Sequence, residues 1–211
     1  MSTASVGVTF DNGCRITHGK GANVKKPFSG IPLTMHELSP SNSKGFTGQL
    51  GFIPFTSELR LPRHIHMDAE KKKLVDERIL VLHGVGAVEI AGKIYVTAPG
   101  TLVDAVGGVP HTWSACPAGV QLPDGTVSNG NFTMVYEYEE PTSFFPTKST
   151  TPIMEASDYE AFEGEDYDEI RFPRLSAEDV VEQAQIVFDT DLKSLSLAEV
   201  PTESASKRQR S

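Results

Sequence analysis

The sequence predicts a mainly β, antiparallel domain of barrel or sandwich type, with an irregular arm before it and a helical extension behind it. Three observations carry that expectation. Between residues 45 and 140, seven β-type runs follow one another with Gly, Pro, Asn or Asp at their joints. No helical period interrupts them, which is the pattern of many short strands folded into a two-layered or closed β structure. Only past residue 176 does the apolar spacing lengthen to that of a helix.

At 211 residues the chain suits one domain with additional segments. Its formal charge of −9 argues against a nucleic-acid partner, whose phosphates need concentrated Lys and Arg. The Lys71–Lys73 run and KRQR near the end are too short to reverse that. No apolar run approaches the roughly 20 residues of a membrane helix. The first residues lack a basic start followed by an apolar core, so no signal peptide is expected. Cys14 and Cys116 lie too far apart in sequence to suggest a disulfide framework. A cytoplasmic protein with reduced thiols is the expectation.

Residues 1–44 form the arm, whose glycines and prolines break every periodic pattern. It is expected to wrap the domain or add an edge strand, with His18 and His36 as surface or turn residues. Residues 45–140 make the β domain. Within it VEIAGKIYV sets Ala91-Gly92 between two alternating strands, as a tight hairpin requires. Residues 141–175 are read as linker and acidic loop. The Phe144-Phe145 pair is expected to pack on the barrel, and eight of the fifteen residues from 155 to 169 are acidic. Residues 176–200 hold the helix. Ser176 can cap it, Glu178 and Asp179 suit its first turn, and Val180, Val181, Ala184, Val187 and Phe188 fall on one face. Residues 201–211 are read as a disordered tail.

The chemistry concentrates between residues 59 and 113. His64 and His66 stand two apart in an extended stretch, so both imidazoles share a face, roughly 6–7 Å apart at the backbone. That separation suits two ligands of one ion, each bond being about 2.0–2.1 Å for zinc. Glu77 opens the run ERILVLHG, and His111 follows in GGVPHTW. Three imidazoles and one carboxylate from different strands would make a compact nitrogen and oxygen site.

These pieces resemble the cupins. His64-Ile65-His66, then Glu77 with six residues before Gly84, look like the first cupin motif; Pro99-Gly100 and Val109-Pro110-His111 look like the second. The resemblance covers residues 45–140 and implies an antiparallel double-stranded β-helix, the jelly-roll barrel. It also implies a divalent metal held by His64, His66, Glu77 and His111. One departure is the spacer: ten residues separate His66 from Glu77, where three or four are usual. Glu70 meets the shorter spacing but lacks the following Gly, so Glu77 is the preferred ligand. The segment MDAEKKKLVD is then an inserted hairpin near the mouth of the site. Ala115 replaces the Asn that often follows the second-motif His.

Several functions follow from the resemblance, because fold membership does not choose one. The leading expectation is an oxygenase of the dioxygenase type, using non-haem iron(II), on a small organic molecule. Manganese, nickel, copper and zinc suit the same donors. Glu77 would tune the ion and act as base. The first alternative is a non-redox isomerase, cyclase or lyase, with the ion as Lewis acid and Tyr95 or Glu89 moving a proton. The second is a non-catalytic binding protein working through the acidic segment and the helix. His83, six residues from Glu77 and therefore on its face in ideal alternation, is expected near the pocket. Trp113, two residues past His111, is expected to line it for a ring-shaped substrate, although a lone Trp is more often core. A homodimer paired through barrel edges completes the expectation.

Overall fold

A computed structural model of the chain describes residues 7–26, 33–39 and 44–199. The tail expected at 201–211 lies outside the described residues. The arm contributes β1 (Val8–Thr9), β2 (Arg15–Thr17), β3 (Asn23–Lys25) and β4 (Met35–Glu37). Then come β5 (Leu50–Thr56), β6 (His64–Met67), β7 (Glu77–Gly84), β8 (Gly86–Ile90) and β9 (Lys93–Thr97). They are followed by β10 (Leu102–Ala105), β11 (His111–Ala115), β12 (Val120–Gln121), β13 (Asn131–Tyr138) and β14 (Ser143–Pro146). The extension holds α1 (Ala177–Gln183), β15 (Gln185–Phe188), β16 (Asp191–Lys193) and β17 (Ser196–Leu197).

Two sheets face each other. The first runs β1-β2-β10-β7-β13-β5 and the second β14-β6-β11-β8-β9-β15-β16. From β6 to β8 the chain passes from second to first and back, and β10 and β11 repeat the crossing, which makes a double-stranded β-helix. Neighbours within a sheet pair antiparallel, except that β15 lies parallel to β9. The β8–β9 hairpin turns on Ala91 (φ 49°) and Gly92 (φ 78°), two successive left-handed residues, as the alternation around them predicts. Apolar residues of both sheets meet between them, including Ile79, Val88, Val103, Trp113 and Phe132. The arm adds an edge: β1 and β2 extend the first sheet beside β10, and Ile16 of β2 joins the core.

The extension closes the outer face of the second sheet. Ala87, Val96 and Cys116 point away from the barrel interior and pack under Val180 of α1, Ile186 and Phe172. Ser176 caps α1 as expected: its hydroxyl accepts from the Asp179 amide, and the Asp179 carboxylate accepts from the Ser176 amide. The helix is shorter than its apolar spacing suggests. It stops at Gln183, and Val187 and Phe188 belong to β15 instead. The β-branched run finds the open edge of β9, where Val187 enters the inner core and Ile186 the outer one. A strand buried on both faces reads as a continuous apolar run, which mimics a helix face over a few residues. The acidic segment is mostly exposed, with Ala156 and Ile170 as its buried anchors.

Candidate metal centre

The second sheet supplies three imidazoles. His64 and His66 alternate to one face of β6, and His111 on β11 is the direct cross-strand partner of His64. Glu77 comes from the first sheet, at the start of β7. The four side chains are 1–4 % exposed, and one donor atom from each lies within 4.8 Å of the others. Glu70, the alternative carboxylate, is an exposed residue paired with Lys72. The inserted hairpin explains the long spacer. Asp68 accepts from the amides of Lys72 (2.7 Å) and Lys73 (3.0 Å), closing the turn, so that the chain re-enters the barrel at Glu77.

Each ring is held by its far nitrogen. Nδ1 of His64 lies 2.7 Å from the Pro62 carbonyl, that of His66 3.0 Å from the Ser143 carbonyl, and that of His111 2.9 Å from the Val109 carbonyl. A carbonyl oxygen only accepts, so each Nδ1 carries the proton and donates it. Each Nε2 is thereby turned toward the common centre, the arrangement that metal-binding histidines adopt.

Nε2 of His111 is 3.0 Å from Oε2 of Glu77. Nε2 of His66 is 3.4 Å from the same oxygen, is too poorly aimed to form a hydrogen bond with it, and has no other partner among the described residues. Two buried acceptors facing one another are costly unless a positive charge lies between them. The donor set therefore fits a cation.

The electrostatics agree. Burial alone would raise the Glu77 pKa, but the imidazoles of His66 and His111 outweigh it and hold the carboxyl well below its usual range. Burial also works against a charged His111, yet the hydrogen bond and charge of Glu77 raise its pKa. His64 lies well below 6.5, pushed down by burial and then by the other two rings. An H-x-H pair, a glutamate on the next strand and a later histidine thus converge inside a double-stranded β-helix. This is the arrangement that the resemblance to cupins implies.

Two residues beside this group escaped the sequence reading. Tyr138, at the end of β13, is the cross-strand partner of Glu77, and its ring lies 4.6 Å from that of His66. Burial and then the Glu77 charge drive its phenol pKa far above the usual value. Phe144 on β14 is the partner of His66, with its ring 4.5 Å from His64 and 5.2 Å from His66. Alternation in NFTMVYEY places Tyr138 on the face of Phe132 and Met134, but the register against Glu77 is a long-range fact.

The remaining expected site residues lie elsewhere. His83 is exposed, because a bulge at Leu82 shifts the β7–β13 register and turns the strand's last residues outward. Trp113 is core: it is 1 % exposed, stacks 6.0 Å from Phe132, and its Nε1 has no partner among the described residues. Tyr95 stacks 4.6 Å from Phe10 of the arm, and burial raises its pKa; Tyr138 stands at Glu77 instead. Glu89 faces the outer side of the sheet, tied to Arg63 by two bonds of 2.7 and 3.1 Å.

No protein-family model and no curated protein matches the sequence. Solved structures do resemble it. A dTDP sugar isomerase from Desulfovibrio desulfuricans G20 is 11 % identical with a TM-score of 0.42, over 71 % of this chain and 94 % of that one. The dTDP-6-deoxy-D-glucose-3,5-epimerase RmlC of Legionella pneumophila Philadelphia 1 is 10 % identical with a TM-score of 0.41, over 64 % and 70 %. The WlaRB TDP-quinovose 3,4-ketoisomerase of Campylobacter jejuni is 8 % identical with a TM-score of 0.37, over 64 % and 89 %. Likeness at this level says nothing of substrate or reaction. These neighbours neither support nor oppose the oxygenase and the iron expected first. Among the described residues, no helix is long and apolar enough to cross a membrane.

Proposed function

We propose that the protein is a metal-dependent cupin enzyme that moves a proton on a small organic molecule by non-redox chemistry, as an isomerase, cyclase or lyase does. His64, His66 and His111 would hold a divalent ion through Nε2, and Glu77 through its carboxylate. Such an ion supplies Lewis acidity, polarising a substrate oxygen and easing removal of a proton from the neighbouring carbon. One observation favours proton transfer: the side chain laid against Glu77 and His66 is a phenol. Tyr138 would keep its phenol proton at neutral pH and yield it to a strong base such as an enolate or alkoxide. Phe144 covers the outer side of two imidazoles and excludes water there. The oxygenase reading uses the same four ligands, since imidazole and carboxylate also accept iron(II). A homodimer is part of the proposal.

Elemental analysis of untagged protein tests the first step, with about one divalent ion per chain expected. Zinc-loaded protein under nitrogen should then wash solvent deuterium into a carbonyl compound beside its carbonyl, followed by NMR. Tyr138→Phe should lose most of that exchange while retaining the metal. Turnover that requires iron and consumes oxygen would return the oxygenase to first place. Metal content and turnover untouched by both His64→Ala and His111→Ala would sink either enzyme reading, and absence of metal would favour a binding protein.

A further inference from the structure

We propose that Phe144 is the specificity-determining residue of this site, selecting a flat, conjugated substrate with an ionisable oxygen, a phenol or an enol. The inference rests on the metal-enzyme reading above and deepens it. β14 is an edge of the second sheet and β5 an edge of the first, and Gln49, just before β5, exchanges two hydrogen bonds with Thr142, just before β14, so the two edges lie side by side along a seam. The imidazoles lie just inside it, 1–3 % exposed, whereas Phe144 over them is 47 % exposed. Its ring meets those of His64 and His66 at tilts of 54° and 68°, and much of the rest is open to solvent.

Further rings stand along the seam. Rings follow one another from Tyr136 to Tyr138 at 5.2 Å, Tyr138 to His66 at 4.6 Å, His66 to Phe144 at 5.2 Å and Phe144 to His64 at 4.5 Å. Tyr136 can lie inward because Gly51 stands across from it on β5. A Cβ at position 51 would collide with the phenol ring. These rings are tilted by 42–68° to one another and so form no single stacking plane, but the open ring of Phe144 offers a planar guest an aromatic partner, which adds to plain apolar burial. A divalent ion with one carboxylate among its four protein ligands keeps a net positive charge, which favours an oxyanion on that guest. Ring and oxygen together describe a phenol or enol.

Calorimetry on zinc-loaded, full-length protein tests this with two probes that share a chelating head, benzohydroxamate with a ring and acetohydroxamate without one. Wild-type protein should prefer benzohydroxamate by at least about fivefold. Phe144→Leu, which keeps an apolar side chain on the strand but no π face, should weaken benzohydroxamate by roughly 3–10-fold and leave acetohydroxamate within about twofold. Phe144→Ala should do at least as much, and Phe144→Tyr should restore the preference. The inference is overturned if Phe144→Leu binds benzohydroxamate as wild type does, or if both probes weaken equally. It also falls, with the metal reading intact, if zinc-loaded wild type binds neither probe. Wild-type protein that takes up no zinc would remove the metal reading and this inference with it.

Discussion

The two sheets of the barrel are built to opposite standards of burial. Every residue of β6, β8 and β11 in the second sheet is buried, because the barrel interior lies on one side and, on the other, the C-terminal extension covers β8 and β11 while Ile153, Ala156 and Tyr159 cover β6. The first sheet has one buried face. On its outer side Leu50 and Phe52 of β5 are each 69 % exposed and Leu82 of β7 is 53 % exposed. The candidate site divides along the same line: three imidazoles from the covered sheet, and Glu77 with Tyr138 from the open one. Strands packed on both faces open less readily than strands packed on one. The nitrogen donors are thus fixed in place, while the carboxylate and the phenol sit on the sheet with more freedom to adjust.

The largest effect should come from breaking the cover. Arg63 donates to both oxygens of Glu89 and to the Lys148 carbonyl, and so ties β8 and the segment that follows β14 to the start of the strand that carries His64. The pair is well buried, with side chains 15 % and 6 % exposed. Arg63→Met leaves a buried carboxylate unpaired, which costs about 3–5 kcal/mol. For a chain of this size that lowers Tm by roughly 6–20 °C. Replacing Glu89 by Met as well should recover most of the loss, because the cost lies in the stranded charge. A single variant that melts with wild type would show that the ion pair does not secure the cover.

A smaller effect distinguishes a histidine held by the covered sheet from the pair that spans both. The folded pKa of His64 is depressed, so below pH 6.5 the unfolded chain takes up a proton there that the folded protein refuses. Metal-free protein should lose stability from this residue as pH falls from 6.5 toward the folded value. His111 behaves oppositely. Its folded pKa is raised, so its contribution is full below 6.5 and disappears as pH rises through the folded value. Urea unfolding of metal-free wild type and His64→Gln across this range should therefore diverge only on the acid side. Zinc, which takes neutral imidazoles, should release a proton from the His111–Glu77 pair on binding. Uptake in buffers of different ionisation enthalpy measures that release. Curves that stay parallel on the acid side would mean that His64 is not held neutral.

Most of the barrel was legible because its strands alternate and its joints carry Gly, Pro or Asp. The ligand order was legible because His64, His66, Glu77 and His111 each begin or sit on such a strand. What was hidden depends on the partner strand. The run VEIAG does not say that Val88 and Ile90 turn inward and Glu89 outward, since both faces of β8 are buried. His83 was misplaced because nothing local marks the bulge at Leu82. Tyr138 and Phe144 reach the site only through pairings with β7 and β6. Val187 and Phe188 were assigned to a helix because a strand buried on both sides loses its alternation.

The smallest expected effect on folding tests the open sheet and the proposed homodimer together. Leu50 and Phe52 lie on an edge strand whose described pairing is with β13 alone, along all seven residues. An apolar edge of that length invites another strand, and a second copy is the occupant that closed symmetry favours. Phe52→Glu places a charge on that strip without touching the inner core, so monomer stability should change by no more than about 0.5 kcal/mol. Its association should not survive, because a carboxylate buried against its own symmetry mate has no partner. Sedimentation of wild type should then give the mass of two chains and of the variant one, with metal content and thermal unfolding nearly unchanged. A wild type that sediments as a single chain would end the dimer proposal. A variant that stays paired would move the contact from β5 to another edge.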